Sequence, residues 1–140
     1  MAITDPIFPV APPARLPTIL VVEDEPLQRL VITDFLKECG FDILESANAA
    51  EAIEVLTKQT GQIDLVFSDV QMPGEIDGFG LAKWIRENRP GTPVVLASGC
   101  TGKAELARDL CAGEHFFPKP FDMDEVAAKI RETLNRKIAS

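Results

Sequence analysis

From Thr18 onward, short apolar runs and amphipathic stretches alternate five times, and nothing else in the chain constrains its fold so strongly. The runs suited to strands are Ile19–Val22, Phe41–Leu44, Ile63–Phe67, Val94–Ala97 and Phe116–Phe117. Between them the apolar positions switch to a helical period of about 3.6 residues. Leu27, Leu30, Val31, Phe35 and Leu36 form one stripe, with Pro26 in its first turn and Gly40 beyond its end. Asn48 and Glu51 have capping-box spacing ahead of Ala52, Ile53, Val55 and Leu56. Leu81, Trp84 and Ile85 follow Asp77, while Leu106, Ala107, Leu110 and Cys111 precede Gly113. Val126, Ile130, Leu134 and Ile138 follow the Asp122–Glu125 pair. Such a succession of β–α units predicts a parallel sheet with helices on both faces and right-handed crossovers. The unbroken apolar runs are what strands covered on both faces require.

Residues 1–17, MAITDPIFPVAPPARLP, hold five of the 11 prolines and show no periodicity. Each proline lacks a backbone donor and biases its predecessor away from helix, which predicts an extended or disordered arm before a domain over 18–140. The formal net charge of −8 is the wrong sign for a nucleic-acid surface. No apolar run approaches the roughly 20 residues of a membrane span, and the N-terminus lacks a secretory signal's basic and apolar regions. Cys39, Cys100 and Cys111 fit no metal-ligand spacing. Reduced thiols in a cytoplasmic protein are the expectation.

In an open α/β sheet, ligands bind outside the carboxyl ends of the strands. Glu23 and Asp24 end the first predicted strand, Asp69 the third, Ser98 the fourth and Lys119 the fifth; Glu45 and Ser46 end the second, at a predicted sheet edge. Any one of these is an ordinary cap or turn residue taken alone. Together they bring three carboxylates, a hydroxyl and an ammonium to one rim. Hard oxygen donors without His or Cys suit Mg²⁺, lysine and serine suit phosphoryl oxygens, and a carboxylate can itself accept a phosphoryl group.

The motifs LVVEDEP, LVFSDVQMPGEIDG, VVLASG and FFPKPF resemble those of the receiver domains of response regulators in two-component signalling. The resemblance runs from Thr18 to about Ile138. It implies a flavodoxin-like, doubly wound sheet of five parallel strands in the order 2-1-3-4-5 with five helices. It implies that Asp69 is the phosphoacceptor, that Asp24 ligates Mg²⁺ (or Mn²⁺) directly, and that Glu23 reaches the metal through water. The backbone carbonyl of Gln71 would be a further ligand. Ser98 and Lys119 would follow the phosphoryl group, Ser98 with Phe116 would form the switch, and Lys119–Pro120 would be a cis peptide bond. The loop after Asp69 carries one residue more before Asp77 and Gly78 than the usual D-x-x-M-P-x-x-D-G. The switch hydroxyl is Ser rather than the commoner Thr, and the switch aromatic lacks a hydroxyl.

What the resemblance implies is a donor phosphohistidine, on a sensor histidine kinase or a histidine phosphotransfer protein. The chain would catalyse its own phosphorylation and dephosphorylation and turn over no external substrate. The 140 residues end 21 positions after Lys119, so the expectation is a single-domain regulator whose output is a surface offered to a downstream protein. Two other classes compete. A phosphatase of the haloacid-dehalogenase type wants D-x-D-x-[TV] at its first strand, which VEDEP lacks. A phosphate-independent interaction module would have no need of the full set of Glu23, Asp24, Asp69, Ser98 and Lys119.

Overall fold

The computed structural model describes residues 16–58, 62–98, 115–118 and 122–139. Its strands are β1 (Thr18–Val22), β2 (Asp42–Ser46), β3 (Leu65–Asp69), β4 (Val94–Ser98) and β5 (His115–Pro118). The helices among the described residues are α1 (Pro26–Glu38), α2 (Ala49–Lys58), α3 (Gly78–Asn88) and α4 (Met123–Ala139). The strands pair in parallel in the order β2-β1-β3-β4-β5, a flavodoxin-like arrangement. The expected helix around Leu106–Cys111, the arm up to Arg15 and the Lys119–Pro120 pair lie outside the described residues.

Alternation along β1 sorts the core into two layers. Leu20 and Val22 face one way and meet Ala49, Ala52 and Leu56 of α2 with Leu81, Ala82 and Ile85 of α3. Ile19 and Val21 face the other way and meet Ile32 and Leu36 of α1 with Val126, Ile130 and Leu134 of α4. Both faces of the sheet are therefore covered, and each fully buried aliphatic side chain contributes about 1.5–3 kcal/mol against solvent exposure.

The helix ends follow local chemistry. Asn48 Oδ1 accepts from the Glu51 N–H at 2.8 Å, and Glu51 Oε1 accepts in return from the Ala47 N–H at 3.0 Å. The returning bond reaches one residue farther back than in the standard capping box. Glu25 caps α1 by accepting from the Leu27 N–H at 3.1 Å, and Asp77 caps α3 by accepting from the Gly80 N–H at 2.9 Å. Before α4, Asp122 Oδ1 accepts from the Asp124 N–H at 2.8 Å. Gly40, at φ +96°, follows the C-cap of α1 in a conformation that side chains avoid.

One expectation fails in α1. Of the predicted stripe, Leu36 is buried and Phe35 packs at the core margin, but Leu27, Leu30 and Val31 are 71%, 54% and 62% exposed. The helix is rotated so that Ile32, Thr33 and Leu36 meet the sheet instead. A stripe of apolar residues identifies a helix face but not which neighbour covers it.

Candidate metal centre

Beyond β1 the chain turns outward to β2, then crosses back to place β3 on the other side of β1. The direction of winding therefore reverses between β1 and β3, which leaves a crevice outside their carboxyl ends. Register fixes what lines it. Val22 is level with Ser68, so Glu23 and Asp69 come next, side by side, as β1 and β3 reach the rim. Carboxylate oxygens of Glu23, Asp24 and Asp69 all lie within 4.8 Å of one another. Glu23 and Asp69 are only 3% and 6% exposed, whereas Asp24 is open to solvent.

Three like charges so close repel, and two of them sit where water screens poorly. The backbone around them is held firmly enough to keep them there. The Glu23 N–H donates to the Ser46 carbonyl at 3.1 Å, which carries the β1–β2 ladder one step past the strand. Arg29 Nη1 donates to the Glu23 carbonyl at 2.7 Å, and the Glu25 N–H donates to Glu23 Oε2 at 3.1 Å. On β3, the Val70 N–H donates to the Ala97 carbonyl at 2.9 Å and Ser68 Oγ donates to the Asp69 carbonyl at 2.8 Å. The Gln71 N–H reaches Asp69 Oδ1 at 3.4 Å. The donor set contains hard oxygens and no His or Cys, which fits Mg²⁺ or Mn²⁺ and disfavours softer ions.

The loop from Val70 to Asp77 leaves Asp69 and returns to it. Gly74 turns at φ +108°, and the Gly78 N–H donates to the Val70 carbonyl at 2.8 Å. A Cβ on Gly78 would overlap the Asp69 carbonyl oxygen, so α3 begins directly against the backbone of the central acid. The residue by which this loop exceeds the usual pattern leaves that closure in place, and Ile76 packs at the margin of the core.

The other predicted site residues fall as follows. Gln71 is exposed two residues past Asp69. Ser98 is the last residue of β4, one step beyond Ala97, which is level with Asp69. Phe116 lies on β5 level with Leu96, and Ser98 is level with Pro118, the residue before Lys119. Lys119 and Pro120 are outside the described residues. Sequence reasoning passed over Arg29, whose bond to Glu23 spans a strand-to-helix turn and leaves no local pattern.

The fold and rim define a class, an α/β domain with a carboxylate cluster at its switch point. Residues 19–131 match the response regulator receiver domain, and the chain belongs to that family. Over 122 residues it is 35% identical to the sensor kinase CckA of Brucella abortus, a match that covers 86% of this chain and 13% of that protein. It is 32% identical over 124 residues to the autoinducer 1 sensor kinase/phosphatase LuxN of Vibrio campbellii, covering 89% of this chain and 14% of that one. The chain thus spans a small part of these much longer relatives. Among solved structures, the response regulator TrrA of Thermotoga maritima in complex with Mg²⁺-BeF superposes with a TM-score of 0.74 at 30% identity. That match covers 84% of this chain and 98% of that one. No helix among the described residues is long and apolar enough to cross a membrane.

Proposed function

We propose that this receiver domain accepts a phosphoryl group on Asp69 from a phosphohistidine and passes the change on through protein–protein contacts. The observation that carries the reading is the convergence of Glu23, Asp24 and Asp69 at the switch point, with oxygens within 4.8 Å of one another. In this reading residues 18–140 form the receiver unit, with a further helix around Leu106–Cys111 between β4 and β5, and residues 1–17 form an arm outside it. We place the protein in the cytoplasm, the compartment in which thiols such as that of Cys39 stay reduced.

Asp24 and Asp69 would bind Mg²⁺ directly, with the Gln71 carbonyl, and Glu23 would bind it through water. When bound, the ion neutralises charge on the transferring oxygens. A carboxylate oxygen of Asp69 forms the new bond to phosphorus as the bond to the donor imidazole nitrogen breaks, and its electron pair returns to the ring. Lys119 supplies an ammonium and Ser98 a hydroxyl to the transferred oxygens. Leu27, Leu30 and Val31 support a protein donor, because they offer exposed apolar surface on the helix that starts at the acidic rim.

Labelling by acetyl phosphate, followed by intact mass, tests the site. Wild type should be labelled only when Mg²⁺ is present. Asp24→Ala should lose the dependence on Mg²⁺ along with most of the labelling. Mg²⁺-dependent labelling at the wild-type rate in that variant counts against Asp24 as a ligand.

The acyl phosphate adds charge beside the ends of β4 and β5, a local event that can bias the surface those strands support. We assign the switch to Ser98 and Phe116, and the output surface to the segments after β4 and around β5. Phe116→Ala should still be labelled at Asp69 but bind a downstream partner equally in both states. A partner that still prefers the phosphorylated variant as strongly as it prefers phosphorylated wild type would remove Phe116 from the switch.

A further inference from the structure

Arg29 touches no carboxylate of the acidic trio, yet it is joined to the trio's backbone. Its Nη1 donates to the Glu23 carbonyl at 2.7 Å, and its Nε meets Glu45 Oε1 at 3.3 Å. The Arg29 side chain is 22% exposed and that of Glu45 46% exposed, so the guanidinium is half sheltered between α1 and the end of β2. The Glu23 peptide is consequently gripped on both sides, its N–H by the Ser46 carbonyl at 3.1 Å and its C=O by Arg29. With both sides fixed, the Glu23 backbone can rotate little, and its buried carboxylate stays aimed at Asp69.

We propose that Arg29 is a positioning residue for the cation site, fixing the aim of Glu23 through its main chain. The inference rests on the reading of the acidic trio as a Mg²⁺ site. Charge and position make opposite predictions here. A guanidinium beside three carboxylates opposes a cation, so its removal should tighten Mg²⁺ binding if Arg29 acts through its charge alone. If Arg29 acts by holding Glu23, its removal should weaken binding, because supporting partners of ligands commonly govern about tenfold or more in metal affinity. Its planar fork reaches two oxygens at once, which a lysine ammonium on a flexible stem does less well.

The experiment is a Mg²⁺ titration of the unphosphorylated protein by calorimetry, with thermal melting of each variant as the check on folding. Arg29→Gln should bind Mg²⁺ about tenfold more weakly than wild type, and Arg29→Lys should fall between the two. If Arg29→Gln does not fold, Arg29→Lys alone decides. Mg²⁺ affinity equal to or tighter than wild type in the folded variants, even with a lowered melting temperature, makes Arg29 a structural residue only. If wild type itself binds no Mg²⁺, the reading of the trio fails and the role of Arg29 fails with it. Wild-type binding with unchanged variants overturns the positioning role alone.

Discussion

Asp69→Asn should remain folded, take no phosphoryl group from acetyl phosphate in Mg²⁺, and resist urea better than wild type when no divalent ion is present. The substitution keeps the shape of the side chain. It also keeps an oxygen for the Gln71 N–H, which reaches Asp69 Oδ1 at 3.4 Å. What it removes is the carboxylate proposed to attack phosphorus and one of three negative charges whose oxygens lie within 4.8 Å of each other. Like charges at such separations repel by up to a few kcal/mol near a protein surface. Relief from those repulsions should raise the urea midpoint in chelator, with solvent around exposed Asp24 reducing the gain. Added Mg²⁺ should erase much of that advantage, because wild type regains through binding what it loses through repulsion. The measurements are intact mass after labelling, and urea midpoints with chelator and with Mg²⁺. Labelling of the variant to the wild-type extent would falsify Asp69 as the acceptor. A variant less stable than wild type in chelator would mean that the trio is not under electrostatic strain.

Local interactions were legible in the sequence, and tertiary ones were not. Asn48 and Glu51 cap α2 through contacts three and four residues apart, and their spacing announced them. The order of apolar runs and periodic stretches likewise pointed to a parallel α/β sheet, because each run must be covered on both faces. Strand starts were harder to place than strand ends. The apolar run at Ile63 begins two residues before β3, which starts at Leu65, whereas β3 ends at Asp69, where the polar residue marked its end. β2 likewise ends at Ser46, as its polar residues indicated, but starts at Asp42, one residue after the apolar run that opens with Phe41. The acids at the rim were legible as residue types at strand ends, whereas their convergence depends on the register between β1 and β3. Arg29 was illegible because six residues separate it from Glu23 across a turn whose geometry only the folded chain defines. The D-G pair at 77–78 was visible as a motif, but the reason for its glycine lies in packing against another segment.

That packing gives Gly78→Ala an effect out of proportion to one methyl group. A Cβ at this position would overlap the Asp69 carbonyl oxygen and lie 2.6 Å from Val70 Cα and 3.1 Å from the Asp69 carbonyl carbon. All three are backbone atoms, so no side chain can swing aside. Either the start of α3 must retreat, stretching the 2.8 Å bond from the Gly78 N–H to the Val70 carbonyl, or the end of β3 must move. Overpacking of this kind costs about 2–3 kcal/mol, which should appear as a lowered urea midpoint. The functional loss should be larger than the stability loss implies, because the displaced atoms belong to the acid proposed to attack phosphorus. Misplacement by as much as an ångström can cost about a hundredfold in rate, so labelling at saturating Mg²⁺ should slow by at least roughly tenfold. Gly74→Ala separates this steric effect from general damage to the loop. Gly74 has open space around its would-be Cβ but sits at φ +108°, so alanine there meets backbone strain and no clash. It should lose about 1–2 kcal/mol and keep labelling within about threefold of wild type. Should Gly78→Ala match Gly74→Ala in both stability and labelling rate, the close approach of α3 to Asp69 has no bearing on the chemistry.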